Sequence, residues 1–249
     1  MKKAISTIFL IALTSFAGAV EPVMDALIRA YPEQIAGMDG GLLVMKSGDR
    51  IVYDDGTRKD FAQLIANPDI DDMFAIPYPV AGTKHSRPQF NFDPGRIRSD
   101  AFFKAVYGGS EKEVEANIET IIWLPNKSPT KIRVTKVNGV SKRLQAISAE
   151  IEKLPPEILV FATKPGGGFN WRPIAGTNQL SAHCFGIAID INVDKSNYWR
   201  WGGVEKYVNQ IPKEITDIFE AYGFIWGGRW YHYDTMHFEF RPELLAPTR

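Results

Sequence analysis

Apolar and polar positions follow two different periods along this chain, and the periods place its elements. Val23, Met24, Leu27, Ile28 and Tyr31 recur at helical spacing, and Pro32 and Gly37 end that segment. Residues 42–45 and 50–53 flank Lys46-Ser47-Gly48-Asp49, the pattern of a hairpin. Residues 67–98 are rich in Pro, Asp and Gly and are expected to wander over the surface. A helix should begin near Ser99 and stop at Gly108-Gly109, and Ser110 with Glu113 forms a capping-box pattern for another. Residues 121–124 and 131–137 read as strands. Leu144, Ile147, Ile151 and Leu154 mark the buried face of an amphipathic helix, and residues 157–163 read as a short apolar strand. The expectation is an α+β fold: a small antiparallel sheet with flanking helices, preceded by an N-terminal extension.

The last third alternates more strictly. From Gly186 to Val193 a strand would put Ile187, Ile189 and Ile191 on one face, and Ala188, Asp190 and Asn192 on the other. Met236, Phe238 and Phe240 likewise alternate with His237, Glu239 and Arg241, with Asp234 at the strand entrance. An acid in the middle of such a strand is costly unless something pairs with it. His183 lies just before the first strand, where a loop bending at Gly186 returns it toward Asp190.

Charge and composition narrow the class. Lys plus Arg and Asp plus Glu are 29 each, which argues against nucleic acid or an anionic membrane surface as a partner. With 45% apolar and 23% charged residues the 249-residue chain is not disordered and is long enough to bury a core. The start departs from the rest. Lys2 and Lys3 precede an apolar run over residues 4–13, and Ala17-Gly18-Ala19 supplies a small-x-small cleavage pattern. Those are the parts of a secretory signal peptide over residues 1–19. Without it the chain holds 27 basic and 29 acidic residues. No second apolar run approaches membrane-spanning length, so the product is expected to be free of the membrane, in the periplasm or outside the cell. The single cysteine, Cys184, allows no internal disulfide.

His183, Asp190 and His237 supply two imidazoles and one carboxylate, a set that suits one zinc ion with a coordination position left for water. Such an ion brings the pKa of its water to about 7. Asp234 is then the candidate general base that takes the water proton and passes it to the leaving amine. SAHCFGIAID followed by DTMHFEF resembles the zinc peptidases that include D-alanyl-D-alanine carboxypeptidases, D-Ala-D-Ala dipeptidases and phage L-alanyl-D-glutamate endolysins. Ser181, His183, Gly186, Ala188, Asp190, Asp234 and His237 agree with that pattern in order across 57 residues. The resemblance implies zinc ligation by His183, Asp190 and His237 and acid/base work by Asp234. It also places Arg172 and Ser181 against substrate, and implies peptidoglycan stem peptides as that substrate. It covers roughly residues 140–245. Residues 20–95 match nothing nameable and form the extension, with the peptidase domain over 96–249 and its core motifs over 164–241.

Other readings stand beside these. His232 either assists the transition state or lines the rim. Glu239 either orients a ligand imidazole or is a plain exposed acid. Arg172 suits bidentate recognition of a carboxylate or carbonyl, or makes a surface ion pair. Cys184 raises a cysteine cell-wall endopeptidase as a rival, although a packed small residue is the better reading. A further rival is a non-catalytic cell-wall binding module with a zinc site. Tyr198, Trp199, Trp201, Trp226, Trp230, Tyr231 and Tyr233 are expected to form a partly exposed rim.

Overall fold

A computed structural model describes residues 17–79, 82–174 and 179–245. The expected signal peptide falls outside the described residues up to residue 16, and residues 17–19 open the first helix. The fold is mixed helix and strand, built from small antiparallel sheets with flanking helices.

The N-terminal part runs α1 (Ala17–Ala30), β1 (Ile35–Asp39), β2 (Leu42–Met45), β3 (Arg50–Val52) and α2 (Phe61–Ala66). Strands β1, β2 and β3 form an antiparallel sheet in which the expected hairpin joins β2 to β3. Met24, Leu27 and Tyr31 of the helical stripe are buried, while Ile28 is exposed. Next come α3 (Asp100–Tyr107), capped by the Ser99 side chain, and α4 (Glu111–Glu115), capped by Ser110. Strands β4 (Ile118–Trp123) and β5 (Thr130–Thr135) pair antiparallel and are followed by α5 (Val140–Ile151), whose Leu144, Ile147 and Ile151 are fully buried.

Two expectations fail here. Residues 157–163 do not form a strand. Pro156 sits at the first position of a short helix, α6 (Pro156–Leu159), with Glu157 in its first turn. Proline's fixed φ and missing N–H suit a helix start, and a short apolar run carries no period to decide otherwise. Nor does the 67–98 segment stay on the surface. Tyr78, Asp93, Ile97 and Arg98 are buried, and the Trp230 Nε1 hydrogen donates to the Pro94 carbonyl at 2.6 Å. The irregular backbone is held by side chains rather than by a ladder.

The C-terminal part carries β6 (Pro165–Gly167), β7 (Ala188–Asn192), α7 (Trp199–Gly202), α8 (Lys213–Ala221), β8 (Phe224–Trp226), β9 (His237–Phe240) and α9 (Pro242–Leu245). Its four strands form one antiparallel sheet in the order β6-β7-β9-β8. Ile187, Ile189 and Ile191 are buried on one face, as the alternation requires, and Phe238 stacks on Phe219 of α8 at 3.9 Å. Met24, Leu27, Tyr31, Leu43 and Tyr53 belong to the same buried cluster as Ile189 and Phe238, so α1 and the β1-β2-β3 sheet share a core with the C-terminal sheet. Among the described residues no helix is long and apolar enough to cross a membrane.

Candidate metal and catalytic site

The register of two strands builds the centre of the site. Asp190 of β7 is paired directly with His237 of β9, and Ala188 with Glu239. Directly opposed residues share a sheet face, so the carboxylate and the imidazole meet. His183 arrives from the other side, on a 3-10 turn over Ala182–Phe185. Ser181 caps that turn, its Oγ accepting from the His183 backbone N–H at 3.3 Å. Gly186 ends it at φ 66°, where a Cβ would meet Ile118 Cδ1 at 2.5 Å and the Thr135 nitrogen at 2.8 Å. Only glycine fits that bend without strain.

Each histidine has one nitrogen committed outward and one directed inward. His183 Nδ1 donates to the Gly168 carbonyl at 2.7 Å, leaving Nε2 facing Asp190 Oδ1 at 3.3 Å. His237 Nε2 donates to Glu239 Oε2 at 2.9 Å, leaving Nδ1 facing the same Asp190 oxygen at 3.1 Å. The two rings lie 5.1 Å apart. Gly168 can bring its carbonyl so close because a side chain there would run into the Arg133 carbonyl. His183, Asp190 and His237 each offer a ligand atom within 4.8 Å of the others, an arrangement that can hold a metal ion. Asp54, Asp55 and Asp69 meet the same distance test, but they form a mostly exposed acidic group and Lys59 is ion-paired to Asp55 and Asp69.

The buried acids and His237 at the centre hold one another in their charged forms. Burial would raise the Asp190 carboxyl, but the charges and hydrogen bonds of His183 and His237 hold it well below the usual range. Burial works against a charged His237, yet its bonds to Asp190 and Glu239 outweigh this and hold it up at about 10. Burial also disfavours the Glu239 charge, and Arg98 with His237 overcomes it and keeps the carboxyl ionised.

Asp234 is in a different environment. Its backbone is fixed by a bond from its N–H to the Gly227 carbonyl and by a bridge to Tyr198. Its Oδ1 is buried and has no hydrogen-bond partner among the described residues. Burial first, and the Asp190 charge second, push its pKa up to about 6. Two neighbouring acids are thus set apart, one held ionised between imidazoles and one held closer to neutral.

The remaining candidates separate clearly. Glu239 is fully buried, so it orients His237 and is not an exposed acid. It also receives Arg98 through both Nε and Nη2, at 3.0 and 2.5 Å, and Arg241 at 3.2 Å. Arg241 continues to Glu243, which accepts from Tyr31 at 2.7 Å. A buried chain of charges therefore runs from the end of α1 to His237. Ser181 spends its Oγ on the turn that carries His183. Arg172 is exposed, and it is its backbone that joins the site, accepting from Cys184 Sγ at 2.7 Å. Cys184 is fully buried, and burial raises its thiol. His232 bonds Asp93 at the rim. Of the aromatic residues, Trp226, Trp230 and Tyr233 are buried, so the rim is narrower than expected; Trp201 is the strongly exposed member. Asp93, Arg96, Arg98 and Gly168 escaped the sequence reading. A buried Glu239 demands a cation, and the Arg96-Ile97-Arg98 alternation is where one could have been sought.

With this geometry in view the comparison with known families is direct. Residues 175–240 match the family model of D-alanyl-D-alanine carboxypeptidase. The match supports the family of zinc peptidases that the motifs resemble. Neither the curated proteins nor the solved structures gave a match. The matched segment contains Ser181, His183, Asp190, Asp234, His237 and Glu239, and it supports a hydrolase acting on peptidoglycan.

Proposed function

We propose that the chain is an exported zinc peptidase that hydrolyses peptide bonds in peptidoglycan stem peptides, of D-Ala-D-Ala carboxypeptidase or L-Ala-D-Glu endopeptidase type. The observation that carries this reading is the pair of imidazoles whose outward nitrogens are fixed and whose inward nitrogens converge on one Asp190 oxygen. Fixed outward partners set the tautomer and aim the donor, as in metal sites generally. His183 Nε2, Asp190 Oδ1 and His237 Nδ1 would hold one zinc. When bound there, zinc supplies Lewis acidity toward a peptide carbonyl and acidifies water. Asp234 takes the proton of the attacking water, its raised pKa making it able to hold that proton and release it to the leaving nitrogen. Glu239, Arg98 and Arg241 keep the His237 ring in place. Arg172 is assigned to the substrate, with its exposed guanidinium free to meet a carboxylate or carbonyl. Ser181 acts there through the turn it caps. The export signal is residues 1–19, and the mature chain works in the periplasm or outside the cell.

Purified protein should hold about one zinc per chain by elemental analysis. His183→Ala and His237→Ala should each lose most of it; full occupancy in both would refute the ligand assignment.

The cysteine reading makes the opposite prediction at Cys184. Its thiol is buried and donates to the Arg172 carbonyl, where a nucleophile would need a lowered pKa and access. Cys184→Ala should therefore keep hydrolytic activity within a few-fold, and a thiol-blocking reagent should not inhibit the enzyme. Complete loss in a folded, zinc-loaded Cys184→Ala protein would favour the cysteine peptidase.

A further inference from the structure

The arginines drawn away from solvent are of two kinds. Arg98, Arg229 and Arg241 are buried, and each holds a carboxylate: Glu239 at 2.5 Å, Glu220 at 2.7 Å and Glu243 at 2.5 Å. Arg96 is half-buried and has no carboxylate partner among the described residues. Its Nη1 donates to the His232 carbonyl at 3.1 Å, which leaves most of its N–H donors without a protein acceptor. Asp93 lies nearby but is already spent. Its Oδ1 accepts from the backbone N–H of residue 232 at 2.9 Å, and its Oδ2 meets the ring Nδ1 at 2.5 Å. Burial works against the Arg96 charge, the Asp93 charge supports it, and the neighbouring Arg98 opposes it. A charge withdrawn from water is ordinarily paired. The partner of Arg96 is therefore to be sought outside the chain.

The backbone holds this residue in a fixed place. The Arg96 N–H bonds the Asp93 carbonyl at 3.1 Å. Before it, Trp230 Nε1 donates to the Pro94 carbonyl at 2.6 Å, and the Tyr231 N–H to the Phe92 carbonyl at 2.8 Å. After it, Arg98 is clamped on Glu239. The Arg96 guanidinium carbon lies 5.6 Å over the Trp230 ring, and the same ring lies 5.5 Å from that of His237. One indole thus joins the guanidinium to a candidate metal ligand. Asp234 is within range of its charge, and the two favour each other's ionised forms.

We propose that Arg96 is a specificity-determining residue that binds the α-carboxylate of the amino acid leaving with the amine. This rests on the peptidase reading above and names what that site selects. In a D-Ala-D-Ala bond the leaving residue is D-Ala, with its terminal carboxylate. In an L-Ala-D-Glu bond it is D-Glu, whose α-carboxylate is free because the stem continues through the side chain. In both, the carboxylate carbon is about 2.5 Å from the leaving nitrogen, fixed by the bonds at Cα. The two candidate bonds therefore bring one group to one place, beside the acid that handles the leaving nitrogen. A planar guanidinium suits a carboxylate through paired N–H bonds, and removal from water strengthens them. Arg172, which is exposed, then serves a carbonyl rather than this carboxylate.

The test replaces the carboxylate by its amide. A stem peptide ending in D-Ala-D-Ala is compared with its C-terminal amide, and a muropeptide with free D-Glu α-carboxylate with its α-amide. Wild type, Arg96→Gln, Arg96→Lys and Arg172→Ala are assayed, with zinc content and melting temperature alongside. On the pair whose bond is cut, wild type should favour the carboxylate in kcat/KM by about 10- to 100-fold, the worth of a charge-assisted pair of hydrogen bonds. Arg96→Gln should bring that ratio close to one with zinc retained. Arg96→Lys keeps the charge without the fork and should give an intermediate ratio. Arg172→Ala should keep the wild-type ratio. Equal cleavage of acid and amide by wild type overturns the proposal and leaves the peptidase reading intact. So does a wild-type ratio in Arg96→Gln, an equal fall on both members of the pair, or loss of the ratio in Arg172→Ala instead. A wild type that cleaves none of the four substrates overturns both.

Discussion

Asp234→Asn is expected to keep its zinc and its fold while turnover falls by roughly two to four orders of magnitude, the usual contribution of a general base. The substitution removes a proton acceptor whose Oδ1 makes no hydrogen bond among the described residues, so it breaks none of their bonds at that oxygen. It also removes a buried carboxylate that lies in the field of Asp190. A carboxyl with a raised folded pKa costs stability as pH climbs from its ordinary value of 3.8 to about 6, and the cost persists above that. The melting temperature of metal-free Asp234→Asn at pH 7 should therefore exceed that of the metal-free wild type, and the two should converge below about pH 4. Asp190→Ala should behave in the opposite way, losing metal and activity together because two imidazoles lose the oxygen they share. Loss of zinc from Asp234→Asn with retention in Asp190→Ala would exchange the two roles.

Arg98→Ala should be the most damaging single change outside the metal ligands. Arg98 and Glu239 are buried and joined by two hydrogen bonds, and removing one partner leaves a charge without its main compensation. Breaking a buried pair of this kind costs about 3–5 kcal/mol. Arg241 and His237 still face Glu239, so the expected loss in denaturant unfolding is about 3 kcal/mol. The zinc affinity of the surviving folded protein should drop about 10- to 100-fold, because Glu239 would no longer hold the His237 ring as firmly. A loss below 1 kcal/mol with unchanged zinc affinity would mean that Arg241 alone anchors Glu239.

The parts of this site that the sequence made legible are those carried by strict alternation. Asp190 on β7 and His237, Glu239 and Arg241 on β9 could be placed on polar strand faces because Ile187, Ile189, Ile191, Phe238 and Phe240 marked the opposite faces. Caps announced α3 and α4 through Ser99 and Ser110. What stayed hidden was everything that depends on irregular backbone. The segment holding Asp93, Arg96 and Arg98 has no period, and its Pro, Asp and Gly content reads as surface. Its burial comes from long-range partners such as Trp230, Glu239 and His232, more than 130 positions away. The same limit applies to Gly168, whose carbonyl orients His183 from just beyond the short strand β6, where there are few side chains to read. At residues 157–163 the apolar run was real, but Pro155 and Pro156 decided for a helical turn. Tyr31 was legible as a core residue, whereas its bond to Glu243, and so its link to the site, was not.

Cleavage of stem peptides at the His183, Asp190 and His237 site should depend on the metal. Mass spectrometry of purified muropeptides, incubated with zinc-loaded protein and with protein stripped by a chelator, tests it most directly. One new cleavage product is expected, shortened by a terminal D-Ala or split at L-Ala-D-Glu, that disappears on chelation, returns with added zinc and is absent in His237→Ala. An unchanged muropeptide profile with zinc-loaded protein, or the same product from the stripped protein, would contradict it.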